Sequence, residues 1–270
     1  MAYDLQWGSA TPGHLVYLLD FSGSMENDGK IDILLDVLKK TCLELFSNPK
    51  NLSRASISII GYNSDVATLF SGNLSELYNK FAEGGGRKYS LLDKTKSLAE
   101  GGCRPEWQTY TAKAFRWAKT DIEEWIAKQE QDGKNIPAPM VIHVTDGYPY
   151  EEERTQEIAM QDALKAAQEI MNITIPDGNP LIFNIHIGDD SSREVLFPTQ
   201  RLTEENQQFL YDASSIIPDS MLNAKTKTGL PISSGCRLMA SNVQDKGNLA
   251  NLILFGSTVT GRMNEAPKPH

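Results

Sequence analysis

The sequence has few cysteines, no long hydrophobic run and no cationic leader. Its 270 residues include three cysteines, Cys42, Cys103 and Cys236, which are odd in number and form no CxxC pair. A disulfide framework or a zinc ribbon is therefore not expected. No apolar stretch approaches the roughly 18–20 residues that span a bilayer, and no basic segment precedes the first apolar run as in a signal peptide. We expect a cytoplasmic protein with no membrane partner.

Positive charge is in the minority. Lys and Arg number 26 against 35 Asp and Glu, which gives a formal net charge of −9. Because such a surface repels a phosphate backbone and no basic stripe interrupts it, nucleic acid is not expected as a partner. The other proportions, 40% hydrophobic and 23% charged residues, are those of a globular protein and exclude an intrinsically disordered chain.

The chain does contain short apolar runs that alternate with amphipathic helical segments. The first run, residues 15–19, precedes a helical stripe over about 30–46, and two β-branched runs at 56–60 and 66–70 predict a hairpin at a sheet edge. This alternation predicts an α/β three-layer sandwich with a mostly parallel central sheet, an antiparallel edge strand and helices on both faces. Further strands are expected over 141–144, 181–187 and 237–240, and further helices over 111–128, 151–171, 204–217 and 247–255.

Nothing in the sequence divides the chain. It has no internal repeat, low-complexity tract or Pro/Ser-rich linker. We therefore expect a single domain over residues 1–260, with long loops or insertions at 82–105 and 224–234. The residues from 261 to 270, which end in Pro-Lys-Pro-His, are expected to form a disordered tail.

Two aspartates follow expected parallel strands. Asp20 ends the first strand and Asp146 follows a later one, 126 positions away. Because ligands of α/β sheets bind at the carboxyl ends of the strands, both carboxylates are expected to face one crevice. Ser22 and Ser24 follow in a glycine-containing turn, and Thr109 stands at a loop-to-helix junction on the same edge. Such an all-oxygen set suits Mg²⁺, Mn²⁺ or Ca²⁺ rather than Zn²⁺.

These residues occur in a recognisable order. Asp20-x-Ser22-x-Ser24 is followed by Thr109 and then by Asp146 in a Thr-Asp-Gly strand end. The series resembles the metal-ion-dependent adhesion site of von Willebrand factor A (vWA) domains. The resemblance implies that Ser22, Ser24 and Thr109 contact the metal. It also implies that Asp20 and Asp146 lie close by or act through water.

The resemblance covers roughly residues 13–257, with two departures. The 89-residue separation of Asp20 and Thr109 is longer than in compact vWA domains, and Thr111 is an alternative ligand to Thr109. A second, shorter resemblance lies at residues 210–219, which are similar to those of small intracellular bacterial vWA proteins. Such proteins are often encoded near protein phosphatases and kinases.

The resemblance implies a binding module and no enzyme. Ligands that are mostly neutral hydroxyls leave much of a cation's positive charge uncompensated, so the cation takes an anionic further ligand. We therefore expect an intracellular partner protein that presents Asp or Glu to the metal. A phosphatase or kinase encoded nearby is the candidate that the second resemblance suggests.

Two alternatives stay open. A magnesium-dependent phosphatase of the haloacid-dehalogenase type also has an aspartate after its first strand, but it needs a second acid two residues later, where this chain has Ser22. The other alternative is a scaffold whose metal site is purely structural. Asp20 and Ser22 are also residue types that cap helices and stabilise turns.

Overall fold

The computed structural model describes residues 3–83, 93–188, 193–224 and 229–258. Its strands are β1 Gly13–Asp20, β2 Ala55–Tyr62, β3 Val66–Asn73, β4 Met140–Thr145, β5 Leu181–Ile187, β6 Val195–Leu196 and β7 Met239–Val243. In the described part of the chain they form one sheet in the order β3-β2-β1-β4-β5-β7-β6. The inner strands are parallel, whereas β3 and β6 run antiparallel to their neighbours at the two ends.

Helices cover both faces of this sheet. They are α1 Lys30–Ser47, α2 Leu74–Glu83, α3 Thr111–Gln131, α4 Gln156–Met171, α5 Glu205–Asp212 and α6 Lys246–Ser257. Helices α1 and α6 pack together on one face, and α3 and α4 pack together on the other. None of the helices in the described ranges is both long enough and apolar enough to cross a membrane.

Strand β1 shows why both faces are covered. All eight of its residues are buried, and successive side chains point to opposite faces. Tyr17 and Leu19 join the hydrophobic cluster beneath α1 and α6, and Val16 and Leu18 join the cluster beneath α3 and α4. A strand that is buried on both faces requires a continuous apolar run, which explains why this run stands out in the sequence.

The predicted fold class is confirmed, with differences at the sheet ends. Both ends, rather than one, carry an antiparallel strand, and β6 is too short to leave a pattern in the sequence. Helix α2 was not predicted. The domain boundary at 260 stays a prediction, and the tail at 261–270 lies outside the described residues.

Two helices are shorter than predicted. The helix expected from residue 151 begins at Gln156 because the Thr155 hydroxyl caps it by accepting the Ile158 N–H. The helix expected over 204–217 ends at Asp212. There the chain turns to the sheet, since the Ser215 N–H donates to the Ile182 carbonyl.

Candidate metal centre

Strand pairing brings the two predicted aspartates to one place. Strands β1 and β4 are parallel neighbours, and Leu19 pairs with Val144. Asp20 therefore lies level with Thr145 at the carboxyl edge of the sheet, and Asp146 is the next residue of the chain. The expectation that both carboxylates face one crevice agrees with this register.

Four of the five predicted ligands share one hydrogen-bond network. The Ser24 hydroxyl donates to Asp146 Oδ1 (2.6 Å), so the 3.1 Å contact between the Ser22 and Ser24 hydroxyls has Ser22 as donor. Asp20 Oδ1 accepts the Ser22 N–H at 2.7 Å. Asp20 Oδ2 accepts the hydroxyl of Thr145 at 2.6 Å. Side chains from two strand ends therefore form a single oxygen-rich cluster.

The turn that carries the serines is held by the backbone of its neighbours. The Phe21 N–H donates to the Tyr62 carbonyl at 2.7 Å, and the Phe21 carbonyl accepts the Glu106 N–H at 3.1 Å. Phe21 and Met25 are fully buried and anchor the turn on both sides of the serines. Ser22 and Ser24 thus project from a segment that is fixed at each end.

Thr109 reaches the same edge through its backbone. Its N–H donates to the Tyr150 carbonyl at 2.9 Å, and the Tyr150 N–H donates back at 3.1 Å. The Thr111 hydroxyl bonds to the Thr109 carbonyl at 3.4 Å and also to Tyr62. Because Thr111 is engaged there, Thr109 is the stronger of the two ligand candidates, and its role stays a prediction.

Burial shifts the pKa of the Asp20 carboxyl group. The carboxyl group is fully buried, and loss of hydration raises its pKa to about 7. The negative charge of Asp146 contributes to this increase in pKa, and hydrogen bonds from Thr145 and Ser22 oppose it. A positive charge beside this carboxyl would therefore favour its ionised form.

Sequence analysis missed a cation at this site. Lys30 Nζ lies 2.9 Å from Asp146 Oδ2, and the two side chains are only 13% and 0% exposed. Lys30 begins α1, where the positive end of the helix dipole disfavours a cation. That unfavourable position, ten residues after Asp20, is the signal that could have identified it.

Beneath the cluster lies a histidine that is not a ligand candidate. His143 Nδ1 contacts Asn184 Oδ1 at 2.7 Å, and Nε2 contacts the Tyr62 hydroxyl at 2.7 Å. Since the amide oxygen only accepts, Nδ1 carries the proton and Nε2 accepts from Tyr62. Burial lowers the pKa of His143 to about 4, so the ring is neutral. His143 is therefore a hydrogen-bonded core residue.

The donor chemistry fits a hard divalent cation. Two carboxylates and the hydroxyls of Ser22 and Ser24 provide only oxygen, which Mg²⁺ and Mn²⁺ prefer. Within the described ranges, no group of three or more His, Cys, Asp or Glu side chains gathers as a candidate metal site. The ammonium group of Lys30 on Asp146 shows that the crevice accepts a positive charge at that carboxylate.

Exposed aromatic side chains lie in the loops around the cluster. Trp107 is 92% exposed, and Tyr148 and Tyr150 are also exposed. The Cα of Trp107 lies 3.6 Å from the point that a Cβ on Gly23 would occupy, so its backbone passes directly over the serine turn. Sequence analysis missed Trp107, although a tryptophan two residues before Thr109 in a polar loop was a usable signal.

The sequence matches no protein-family model, and no curated protein is significantly similar to it. Solved structures do match. The pilus adhesin SpaC from Lactobacillus rhamnosus GG is 14% identical with a TM-score of 0.56, and the match covers 96% of this chain and 31% of SpaC. This chain therefore spans about a third of the length of SpaC.

Two other structures are similar at lower scores. The ArnB paralogue VWA2 from Sulfolobus acidocaldarius is 20% identical with a TM-score of 0.36, over 67% of this chain and 36% of VWA2. The manganese-loaded TRAP protein from Plasmodium vivax is 17% identical with a TM-score of 0.48, over 90% of this chain and 72% of TRAP. At these identities, the likeness to SpaC shows the fold alone: an α/β sandwich with a mixed, mostly parallel sheet.

Proposed function

We propose that the protein is a vWA-type binding module that captures an acidic side chain of a partner protein through one divalent cation, Mg²⁺ or Mn²⁺. The observation that carries this proposal is the oxygen cluster at the carboxyl edge of β1 and β4. That SpaC, with a similar fold, is a pilus adhesin agrees with a binding role. The proposed metal-holding residues are Asp20, Ser22, Ser24, Thr109 and Asp146.

The incomplete neutralisation of the cation is the reason for proposing a carboxylate on the partner. When bound, the cation supplies a positive centre that two carboxylates and neutral hydroxyls compensate incompletely. An aspartate or glutamate side chain from a partner supplies the missing negative charge and the additional oxygen.

The surrounding loops specify more of the partner. Trp107, Tyr148 and Tyr150 present exposed aromatic rings, the residue class that is enriched at the centres of protein interfaces. Glu106 and Glu152 lie in the same loops, where Glu106 accepts the Ser64 hydroxyl. These acids repel a purely acidic peptide. We therefore propose a partner whose Asp or Glu is flanked by apolar and basic residues.

The cellular setting belongs to the same proposal. We place the protein and its partner in the cytoplasm, with a phosphatase or kinase encoded nearby as the first candidate partner. We propose no catalytic role, because a haloacid-dehalogenase-type phosphatase needs an acid where Ser22 contacts Ser24. A phosphatase assay with Mg²⁺ that detects turnover, abolished by Asp20→Asn, would contradict this part.

The test separates metal binding from partner capture. Calorimetric titration of the chelated protein with Mg²⁺ should show one site, and saturation at 100 times Kd should stabilise the fold by about 2.7 kcal/mol. The wild type and the Ser22→Ala/Ser24→Ala double variant are then used to capture partners from cell extract in Mg²⁺ or EDTA.

Only the wild type in Mg²⁺ should retain a partner, and binding should end when the partner's acidic residue is changed to Gln or Asn. Ser47→Ala is the matched control and should capture the partner as the wild type does, because it removes an exposed hydroxyl at the C-terminal end of α1. Equal capture in every sample contradicts the proposal and favours a scaffold.

A further inference from the structure

Both oxygens of the Asp146 carboxylate are already engaged. Oδ1 accepts the Ser24 hydroxyl at 2.6 Å, and Oδ2 accepts the Lys30 ammonium at 2.9 Å. The Lys30 side chain is 13% exposed and that of Asp146 is fully buried, so little water screens the pair. A divalent cation held by Asp146 therefore meets a second positive charge that occupies the same carboxylate.

Two cations cannot share this carboxylate without strong repulsion. Like charges within a few ångström repel more strongly where water is excluded. Lys30 is the first residue of α1, so its backbone position is fixed while its four-carbon side chain can rotate. The ammonium group can leave Asp146 without any movement of the helix.

A cavity of about 240 Å³ adjoins the pair. Lys30 and Asp146 line one side of it, and Glu204, Asn206 and Asn242 are among the residues that line the rest. Asn206 Oδ1 is buried and has no hydrogen-bond partner among the described residues. A buried acceptor without a donor is unfavourable, and an ammonium group offers three donors.

We propose that Lys30 occupies Asp146 in the metal-free protein and moves into this cavity, towards Asn206 and Glu204, when a divalent cation binds. This inference rests on the proposed metal site and describes what regulates binding there. Metal binding then has to displace an internal competitor. The displaced ammonium group changes the contacts of the segment that begins α5. Metal binding therefore alters a neighbouring segment at the same edge of the sheet.

Removing the competitor should tighten metal binding. Lys30→Met retains the length of the side chain and removes its charge, and we expect Kd for Mg²⁺ to fall about tenfold, which corresponds to about 1.4 kcal/mol. Lys113→Met is the matched control. Lys113 lies in the first turn of α3, near the same sheet edge, and pairs with the exposed Asp65. Its loss should change Kd less than about twofold, because exposed charges are screened.

A double-mutant cycle tests the cavity. Asn206→Ala removes the acceptor that receives Lys30, so it should weaken Mg²⁺ binding about threefold in the wild type. In the Lys30→Met background, Asn206→Ala should have no effect, because no ammonium group remains to be received. Equal effects of Asn206→Ala in both backgrounds contradict the movement of Lys30 into the cavity.

A spectroscopic measurement follows Lys30 itself. In ¹⁵N-lysine-labelled protein, the Nζ signal that disappears in Lys30→Met should shift during Mg²⁺ titration, and the Lys113 signal should not. Lys30→Gln serves as the second variant if Lys30→Met unfolds. Absence of Mg²⁺ binding by the wild type and by both Lys30 variants contradicts the metal site together with the exchange. Binding with unchanged Kd in these variants contradicts the exchange alone.

Discussion

The two ends of strand β1 each carry a buried polar cluster, and the clusters are built differently. At the amino end, His14 Nδ1 contacts the Ser56 hydroxyl and His14 Nε2 contacts Asp121 Oδ2, both at 2.8 Å. The other oxygen of Asp121 accepts the Ser58 hydroxyl at 2.8 Å. The ring of Trp125 stacks on His14 with 5.0 Å between centroids. The side chains of His14, Ser56, Ser58 and Asp121 thus all have partners at this end.

The carboxyl end has the same kinds of residue but a different balance of charge. Two carboxylates, Asp20 and Asp146, face one ammonium group, and burial together with Asp146 raises the pKa of Asp20 to about 7. Hydrogen bonding alone therefore does not separate the two ends. The number of carboxylates does: the amino end holds one, Asp121, whereas the carboxyl end brings Asp20 and Asp146 together around one ammonium group.

The largest expected effect comes from neutralising Asp20. Its carboxyl pKa is about 7 in the folded, metal-free protein against an ordinary 3.8. Because the folded value is raised, the stability that protonation provides is present below about pH 4 and is lost as the pH rises through about 7. Asn cannot ionise. Asp20→Asn should therefore gain about 4 kcal/mol relative to the wild type between about pH 4 and pH 8.

Denaturant unfolding in EDTA across this pH range measures the difference between Asp20→Asn and the wild type. Saturating Mg²⁺ should stabilise the wild type and should stabilise the variant much less, because the substituted Asn side chain supplies no negative charge to the proposed site. A difference that does not vary with pH would show that burial and Asp146 do not destabilise the ionised Asp20.

The next effect concerns the amino end. Asp121→Ala leaves the His14 Nε2 group without its acceptor and the Ser58 hydroxyl with only the longer contact to Ser71, so the free energy of unfolding should fall by about 3 kcal/mol. The loss should be the same in EDTA and in Mg²⁺. Asp32→Ala is the control, since that side chain is 60% exposed and pairs with Lys94 at the surface. We expect about 0.5 kcal/mol or less for it. A loss that Mg²⁺ reverses would contradict the contrast between the ends.

The smallest effect on stability should come from Trp107. Its side chain is 92% exposed, so Trp107→Ala should change the free energy of unfolding by less than about 0.5 kcal/mol. Affinity for the captured partner should nevertheless fall about tenfold or more, as for aromatic residues at the centre of an interface. Fluorescence anisotropy with the isolated partner measures this. Unchanged affinity would remove Trp107 from the proposed recognition surface.

The sequence predicted the parts of the fold that depend on local pattern. A continuous apolar run, typical of a strand that is buried on both faces, identified β1. The carboxyl ends of parallel strands lie at one edge of a sheet, and this rule placed Asp20 and Asp146 together. Strand β6, with two residues, is too short to show any periodicity. Its place in the sheet comes from antiparallel pairing with β7.

The site was predicted less completely because some of its contacts join distant residues through flexible side chains. Lys30 and Asp146 are 116 positions apart. The unfavourable position of Lys30 at a helix start marks the residue as unusual, but it does not indicate which carboxylate the ammonium group contacts. The exposure of Trp107 likewise depends on how its loop crosses Gly23. In contrast, Ser22 and Ser24 follow Asp20 in one short turn, so their proximity was accessible from the sequence.

The loops around the cluster are joined by main-chain hydrogen bonds. Phe21 pairs with Glu106, and Thr109 pairs with Tyr150, in each case through backbone N–H and carbonyl groups. Backbone pairing does not depend on which side chain a residue bears. Substitutions at the neighbouring exposed positions 107 and 148 can therefore accumulate without displacing the oxygen cluster. The proposed recognition surface is thus free to diverge among descendants of this protein while the geometry of the oxygen cluster is inherited unchanged.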